Sequence, residues 1–177
     1  MSFLDALNSA VATVPTLPRV RFEVGLGDEA ARWLAKKHAD GAVHEPGTIA
    51  AFLAVRQRFP GCKTIFDVGA LFGYFSLLCV ALFEDAEVTA FEMHPGVMTP
   101  LAANVAPSVT CVHAVVSDRC EPGVRFWVSG FNIFEEPAGG WEALDSVPGA
   151  MKPRGANNQG RGFAKVDFIT LDAYCAQ

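Results

Sequence analysis

Charge is scarce in this chain of 177 residues: Lys, Arg, Asp and Glu together make up 19%, against roughly 25% in typical soluble domains. Basic residues are not in excess either. Fourteen Lys and Arg stand against nineteen Asp and Glu, for a net charge of −5 and an isoelectric point of about 5.3. The bulk electrostatic footprint expected of a nucleic-acid or anionic-membrane partner is therefore missing. The five cysteines, Cys62, Cys79, Cys111, Cys120 and Cys175, are odd in number. They show neither C-x-x-C nor a tight Cys/His spacing, so no disulfide framework or metal site is expected, and they read as reduced thiols of a cytoplasmic protein. No basic residue precedes Arg19, so the positively charged start of a secretory signal is lacking. An uninterrupted membrane span is lacking as well. Residues 65–83 carry a single charge over a length that would cross a bilayer, but Asp67, Gly69 and Gly73 divide them into two shorter apolar elements.

What is present is apolar: 51% of the residues are hydrophobic. A chain of this length buries roughly 70% of its unfolded surface and forms one core, and the apolar excess predicts a surface reserved for a ligand or a partner. Residues 1–60 read as a helical lead-in. Helices are expected over residues 3–14, 28–39 with Asp28 as N-cap, and 46–59 with Pro46 in the first turn; residues 20–24 alternate as a short strand.

From residue 61 to 177 the period changes. Strands are expected over 64–66, 87–91 and 109–113, alternating with helices over 74–83 and 95–105, which implies right-handed βαβ units and a parallel sheet. The fold class is α/β, a Rossmann-like doubly wound sheet. Residues 124–128 and 131–134 form an expected hairpin around Ser129-Gly130, and 166–171 a further strand. Between them, residues 135–162 are rich in Gly, Pro and Asn. The locally basic part from Lys152 to Gly162 reads as a solvated loop rather than an anion clamp.

In open parallel sheets, ligands bind beyond the carboxyl ends of the strands. Asp67-Val68-Gly69-Ala70-Leu71-Phe72-Gly73 lies there, with the form D-x-G-x-x-x-G. Gly69 and Ala70 would let a ligand approach the backbone, Gly73 would let the helix pack close, and Asp67 would bring a carboxylate to an ammonium group. Glu92, at the end of the second strand, can accept from the hydroxyls of a ribose. Ser117 and Asp118, after the third strand, are placed to meet an adenine edge. Asp67 occupies the first glycine position of the dinucleotide fingerprint, where it would repel a pyrophosphate. A nucleoside carrying an ammonium and no phosphate fits all three elements, and S-adenosyl-L-methionine is such a cofactor.

The blocks Thr64-Ile-Phe-Asp-Val-Gly-Ala-Leu-Phe-Gly-Tyr-Phe-Ser76, Ala90-Phe-Glu-Met-His-Pro95, Ala114-Val-Val-Ser-Asp118 and Ile169-Thr-Leu-Asp172 resemble successive blocks of the FkbM family of methyltransferases. The resemblance spans about residues 45–172. It implies a class I methyltransferase fold, S-adenosyl-L-methionine as cofactor, methylation of a sugar or small-molecule hydroxyl, and cofactor contacts at Asp67, Gly69, Gly73, Glu92 and Asp118. Leu71 stands where the family usually has Asn, and Met93-His94 replaces a proline-led turn. The family also continues into a fourth core strand with an acidic motif, whereas this sequence stops at Gln177, so the fold is expected to be incomplete at its C-terminus. The first strand then has one neighbour, and its free side is expected either to associate with a second copy or to be covered by residues 166–171.

Two other outcomes stay open: a non-catalytic cofactor-binding or interaction module, and an NAD-type oxidoreductase, which Asp67 disfavours. No catalytic base is evident. His94 and His113 are isolated and read as structural.

Overall fold

The computed structural model describes residues 45–129, 132–135 and 161–177. The expected helices over 3–14 and 28–39, the strand over 20–24 and nearly all of the loop over 135–162 lie outside these residues.

Helix α1, Pro46–Arg58, begins with proline at its first turn and ends with Arg56 and Arg58, cations that suit the negative end of the helix dipole. Strand β1, Thr64–Val68, follows. Helix α2, Tyr74–Leu82, is apolar nearly all round because it is packed on two sides. Leu77 and Cys79 join the sheet-side core, while Leu78 and Leu82 meet Ile49, Phe52 and Leu53 of α1. Strand β2, Glu87–Glu92, is buried at every position after the first, as expected of a central parallel strand. Helix α3, Pro95–Val105, contributes Val97, Leu101 and Val105 to the same core as Val88 and Ala90 of β2.

Strand β3, Val109–Val116, is longer than the expected 109–113, because its last three residues continue the ladder by pairing with Asp167, Phe168 and Ile169. Ala114, Val115 and Val116 therefore belong to the strand and not to the turn after it. Strands β4, Glu121–Ser129, and β5, Asn132–Glu135, form the expected hairpin, with Ser129 opposite Asn132. Strand β6 runs over Arg161–Ile169. It starts before the expected residue 166 because residues 161–165 pair with β4, and it stops before 171 because Thr170 N-caps the short helix α4, Leu171–Cys175, accepting from the Ala173 N–H.

The six strands lie in the order β1-β2-β3-β6-β4-β5. β1, β2, β3 and β6 are mutually parallel, and β4 runs against both β6 and β5. This corrects one expectation: β6 is inserted between β3 and β4, far from the free side of β1. The residues that would have covered β1 find their apolar partners instead in Phe126, which forms a core with Val166 and Phe168. Alternation along β1 and β2 puts Ile65, Val88 and Ala90 towards α2 and α3 and turns Phe66 and Phe91 to the opposite face. There the Tyr174 ring of α4 meets both edge-on, at centroid distances of 6.0 and 5.1 Å. Helices thus flank both faces of a mostly parallel sheet. The arrangement is an α/β fold compatible with the Rossmann-like class and is not specific to methyltransferases.

Residues 65–83 resolve into β1, a loop and the nine-residue α2. Among the described residues no helix is long and apolar enough to cross a membrane. All five cysteines are free thiols.

Candidate functional site

The chain leaves β1 at Val68 and enters α2 at Tyr74, so the turn from Gly69 to Gly73 must reverse direction in five residues. Three of them take left-handed backbone conformations: Gly69 at φ 80°, Leu71 at φ 51° and Gly73 at φ 83°. The two glycines serve different ends. A Cβ on Gly73 would stand 2.3 Å from Cγ1 of Val105 and 3.0 Å from Cδ1 of Leu101, so Gly73 is what lets α2 and α3 approach. A Cβ on Gly69 would meet nothing within 4 Å, which leaves the backbone there open. Leu71 takes a conformation that Asn tolerates and Leu adopts only at a cost.

The turn is tied down by hydrogen bonds within the chain. The N–H groups of Gly69 and Ala70 both donate to the Phe91 carbonyl, at 2.9 and 3.1 Å, and Gly73 N–H donates to Ala70 O at 2.8 Å. Asn104 of α3 donates its side-chain N–H to Phe72 O at 2.9 Å. Glu92 is 6% exposed. Its Oε2 accepts from Leu71 N–H at 2.9 Å and its Oε1 from His94 N–H at 2.7 Å. The acid thus bridges the turn after β1 and the turn after β2.

Asp67, near the end of β1, is the other carboxylate beside this turn. The hydroxyl and the peptide N–H of Ser76 both donate to it, the former at 2.5 Å. Ser76 is the third residue of α2, so its amide is among the four that a helix start leaves without intrahelical partners. Burial pushes the Asp67 carboxyl above its usual range; the Ser76 bonds oppose that rise and the Glu92 charge adds to it. Two carboxylates at the carboxyl ends of neighbouring strands, one of them disfavoured in its ionised form, make a place where a cation is welcome. An anion is not. At the helix start where nucleotide-binding folds receive a phosphate, this chain has put its own Asp67. Cys79, one turn further along α2, is held inert: burial first, and then the Asp67 charge, push its thiol up to about 12.

Asp67, Gly69, Ala70, Gly73 and Glu92 thus lie together at the carboxyl ends of β1 and β2. Ser117 and Asp118 stand apart from them. Glu92 is level with His113 on β3, and Ser117 comes four residues later, about 13 Å further along a strand at ~3.3 Å per residue. Ser117 N–H donates to Ile169 O at 2.8 Å, its hydroxyl donates to Asp118 Oδ1 at 3.2 Å, and Asp118 is exposed.

Ser76 and Asn104 escaped sequence reasoning, and His94, read as structural, has a specific role that its isolation did not show. Ser76 and Asn104 are polar residues in apolar helices, a signal that points inward but names no partner. His94 N-caps α3, its Nδ1 accepting from Gly96 N–H at 3.0 Å; the Pro95-Gly96 pair after it marks a helix start and could have shown this. His113 Nε2 lies 3.0 Å from Met93 O.

Compared with family models, with curated proteins and with solved structures, the chain matches none.

Proposed function

We propose that this chain binds S-adenosyl-L-methionine in the crevice between Asp67 and Glu92 and belongs to a methyltransferase of the class I type acting on a small-molecule or sugar hydroxyl. The observation that carries the reading is Asp67 at the start of α2: a carboxylate accepting from both donors of Ser76 repels a phosphate and attracts an ammonium. Glu92 supports the ribose part. A carboxylate has about four lone-pair sites, and two are used by Leu71 and His94, so one remains on each oxygen for a pair of vicinal hydroxyls. Gly69, with no atom within 4 Å of where its Cβ would be, and Ala70 beside it supply the backbone approach.

The resemblance of the motif blocks to the FkbM family adds the reaction class, and the free thiols fit a cytoplasmic protein. Transfer of a methyl group from a sulfonium to an oxygen depends chiefly on in-line positioning. No residue is assigned as a base. Ser117 and Asp118 enter the site only if the adenine extends along β3.

One observation favours a second reading, a cofactor-binding or interaction module without turnover: among the described residues β1 pairs with β2 alone. An NAD-type oxidoreductase fits least, since its pyrophosphate would face Asp67. Isothermal titration with S-adenosyl-L-homocysteine and with NAD separates these readings. Tighter binding of the sulfur ligand is expected; tighter binding of NAD would overturn the assignment.

A further inference from the structure

Glu92 can read a pair of hydroxyls only if its carboxylate is held in one orientation; Leu71 N–H holds Oε2 from the turn after β1, and the turn that follows β2 holds Oε1. A single peptide plane, the one joining Met93 to His94, is gripped at both ends. Its N–H donates to Glu92 Oε1 at 2.7 Å, and its carbonyl oxygen lies 3.0 Å from His113 Nε2, on the residue level with Glu92 in the neighbouring strand. A carbonyl only accepts, so His113 must be the donor, with its proton on Nε2.

His94 then fixes the far side of the same plane. It is 4% exposed, extended at φ −79° and ψ 113°, and its Nδ1 accepts from Gly96 N–H at 3.0 Å, so that nitrogen carries no proton. One residue therefore binds backward to the acid through its main chain and forward to the first turn of α3 through its ring. The same turn is also closed by Val97 N–H donating to His94 O at 3.0 Å, so the ring acts as the side-chain half of a two-bond cap.

We infer that His94 is a positioning residue for Glu92: its cap on α3 sets the Met93–His94 peptide so that Glu92 presents its free lone pairs to a vicinal diol. The inference rests on the ribose reading given above. It goes beyond that reading by tying sugar recognition to a side chain that does not touch the ligand.

The test compares S-adenosyl-L-homocysteine with its 2′-deoxy analogue by titration calorimetry on the full chain. In the unsubstituted protein the ribose ligand is expected to bind more tightly. His94→Ala should lose about tenfold towards the ribose ligand, the effect of roughly one hydrogen bond to a charged group, and change within about twofold towards the deoxy ligand. His94→Asn, which restores an N-cap acceptor, should recover the preference, and His94→Ala added to Glu92→Gln should weaken binding no further than Glu92→Gln alone. If His94→Ala does not fold, His113→Ala against His94→Asn carries the comparison, with the preference reduced in the first and kept in the second. Equal losses for both ligands, or an intact preference in His94→Ala, overturn the positioning role while leaving the ligand assignment standing. Binding of neither ligand by the unsubstituted chain overturns both.

Discussion

The Ser76 hydroxyl donates to Asp67 Oδ2 over 2.5 Å, so a carboxylate nine residues upstream closes the start of α2 from within the chain. Because burial raises the Asp67 carboxyl above its ordinary 3.8, ionising it costs more in the folded chain than in the unfolded one. Its contribution to stability is thus fully present below about pH 3.8 and is lost as the pH rises through the raised value. An ammonium ligand acts the other way, preferring the ionised form. Affinity for S-adenosyl-L-homocysteine is expected to fall as the pH drops through the Asp67 titration, and Asp67→Asn should flatten both profiles. Melting temperatures and calorimetric titrations between pH 4 and 8 check this; parallel profiles for the two proteins would count against it.

The two glycines of the turn separate stability from binding. Gly73→Ala forces a left-handed alanine against Val105 at 2.3 Å. The conformation costs roughly 1–2 kcal/mol and overpacking about 1–3 kcal/mol. Gly69→Ala meets open space and pays only the conformational part. In chemical denaturation Gly73→Ala is therefore expected to lose about 2–5 kcal/mol and Gly69→Ala about 1–2 kcal/mol. Ligand affinity should suffer in the second, where the added Cβ stands at the open backbone. Equal stability losses would mean that the close packing of α2 on α3 does not depend on Gly73.

Replacing Glu92 reveals its second role. Sequence reasoning assigned it to a ribose; in the fold it also satisfies the N–H groups of Leu71 and His94. Glu92→Ala leaves both without their acceptor, at roughly 1–3 kcal/mol each, and should lower the melting temperature by about 5–15 °C. It should also weaken S-adenosyl-L-homocysteine binding by about 10- to 150-fold. A variant that melts like the unsubstituted chain would show that the bridge between the two turns carries no stability.

The strands and helices around the site were legible because each carries its own signal. Pro95 and Val105 bound a helix that begins with proline, and the turn from Asp67 to Gly73 has glycine at two of the three positions where the backbone turns left-handed, Leu71 being the third. What stayed hidden depends on distant pairing. The last three residues of β3 are strand only because β6 lies beside them, and no local pattern places β6 between β3 and β4. The use of Glu92 as a bridge was equally invisible, since its donors, Leu71 and His94 N–H, are main-chain groups that every residue but proline possesses.

The position of β1 leads to the last prediction. Glu87 N–H donates to Lys63 O and Gly69 N–H to Phe91 O, so by the alternation of a parallel ladder the odd residues of β1 turn their backbone to β2. The N–H and carbonyl groups of Thr64, Phe66 and Val68 point the other way, and among the described residues no strand receives them. Unpaired strand edges are templates for association, and exposed apolar side chains strengthen the tendency. Val68 is 54% exposed on this strand, and Val55 and Phe59, at the end of α1 just before it, are 45% and 57% exposed. The edge that β1 presents among the described residues is therefore expected to promote self-association. Val68→Lys, which places a charge on the edge, should shift the chain towards monomer. Light scattering on both proteins decides the matter. A chain that stays monomeric without the substitution would show that this edge does not recruit a second copy.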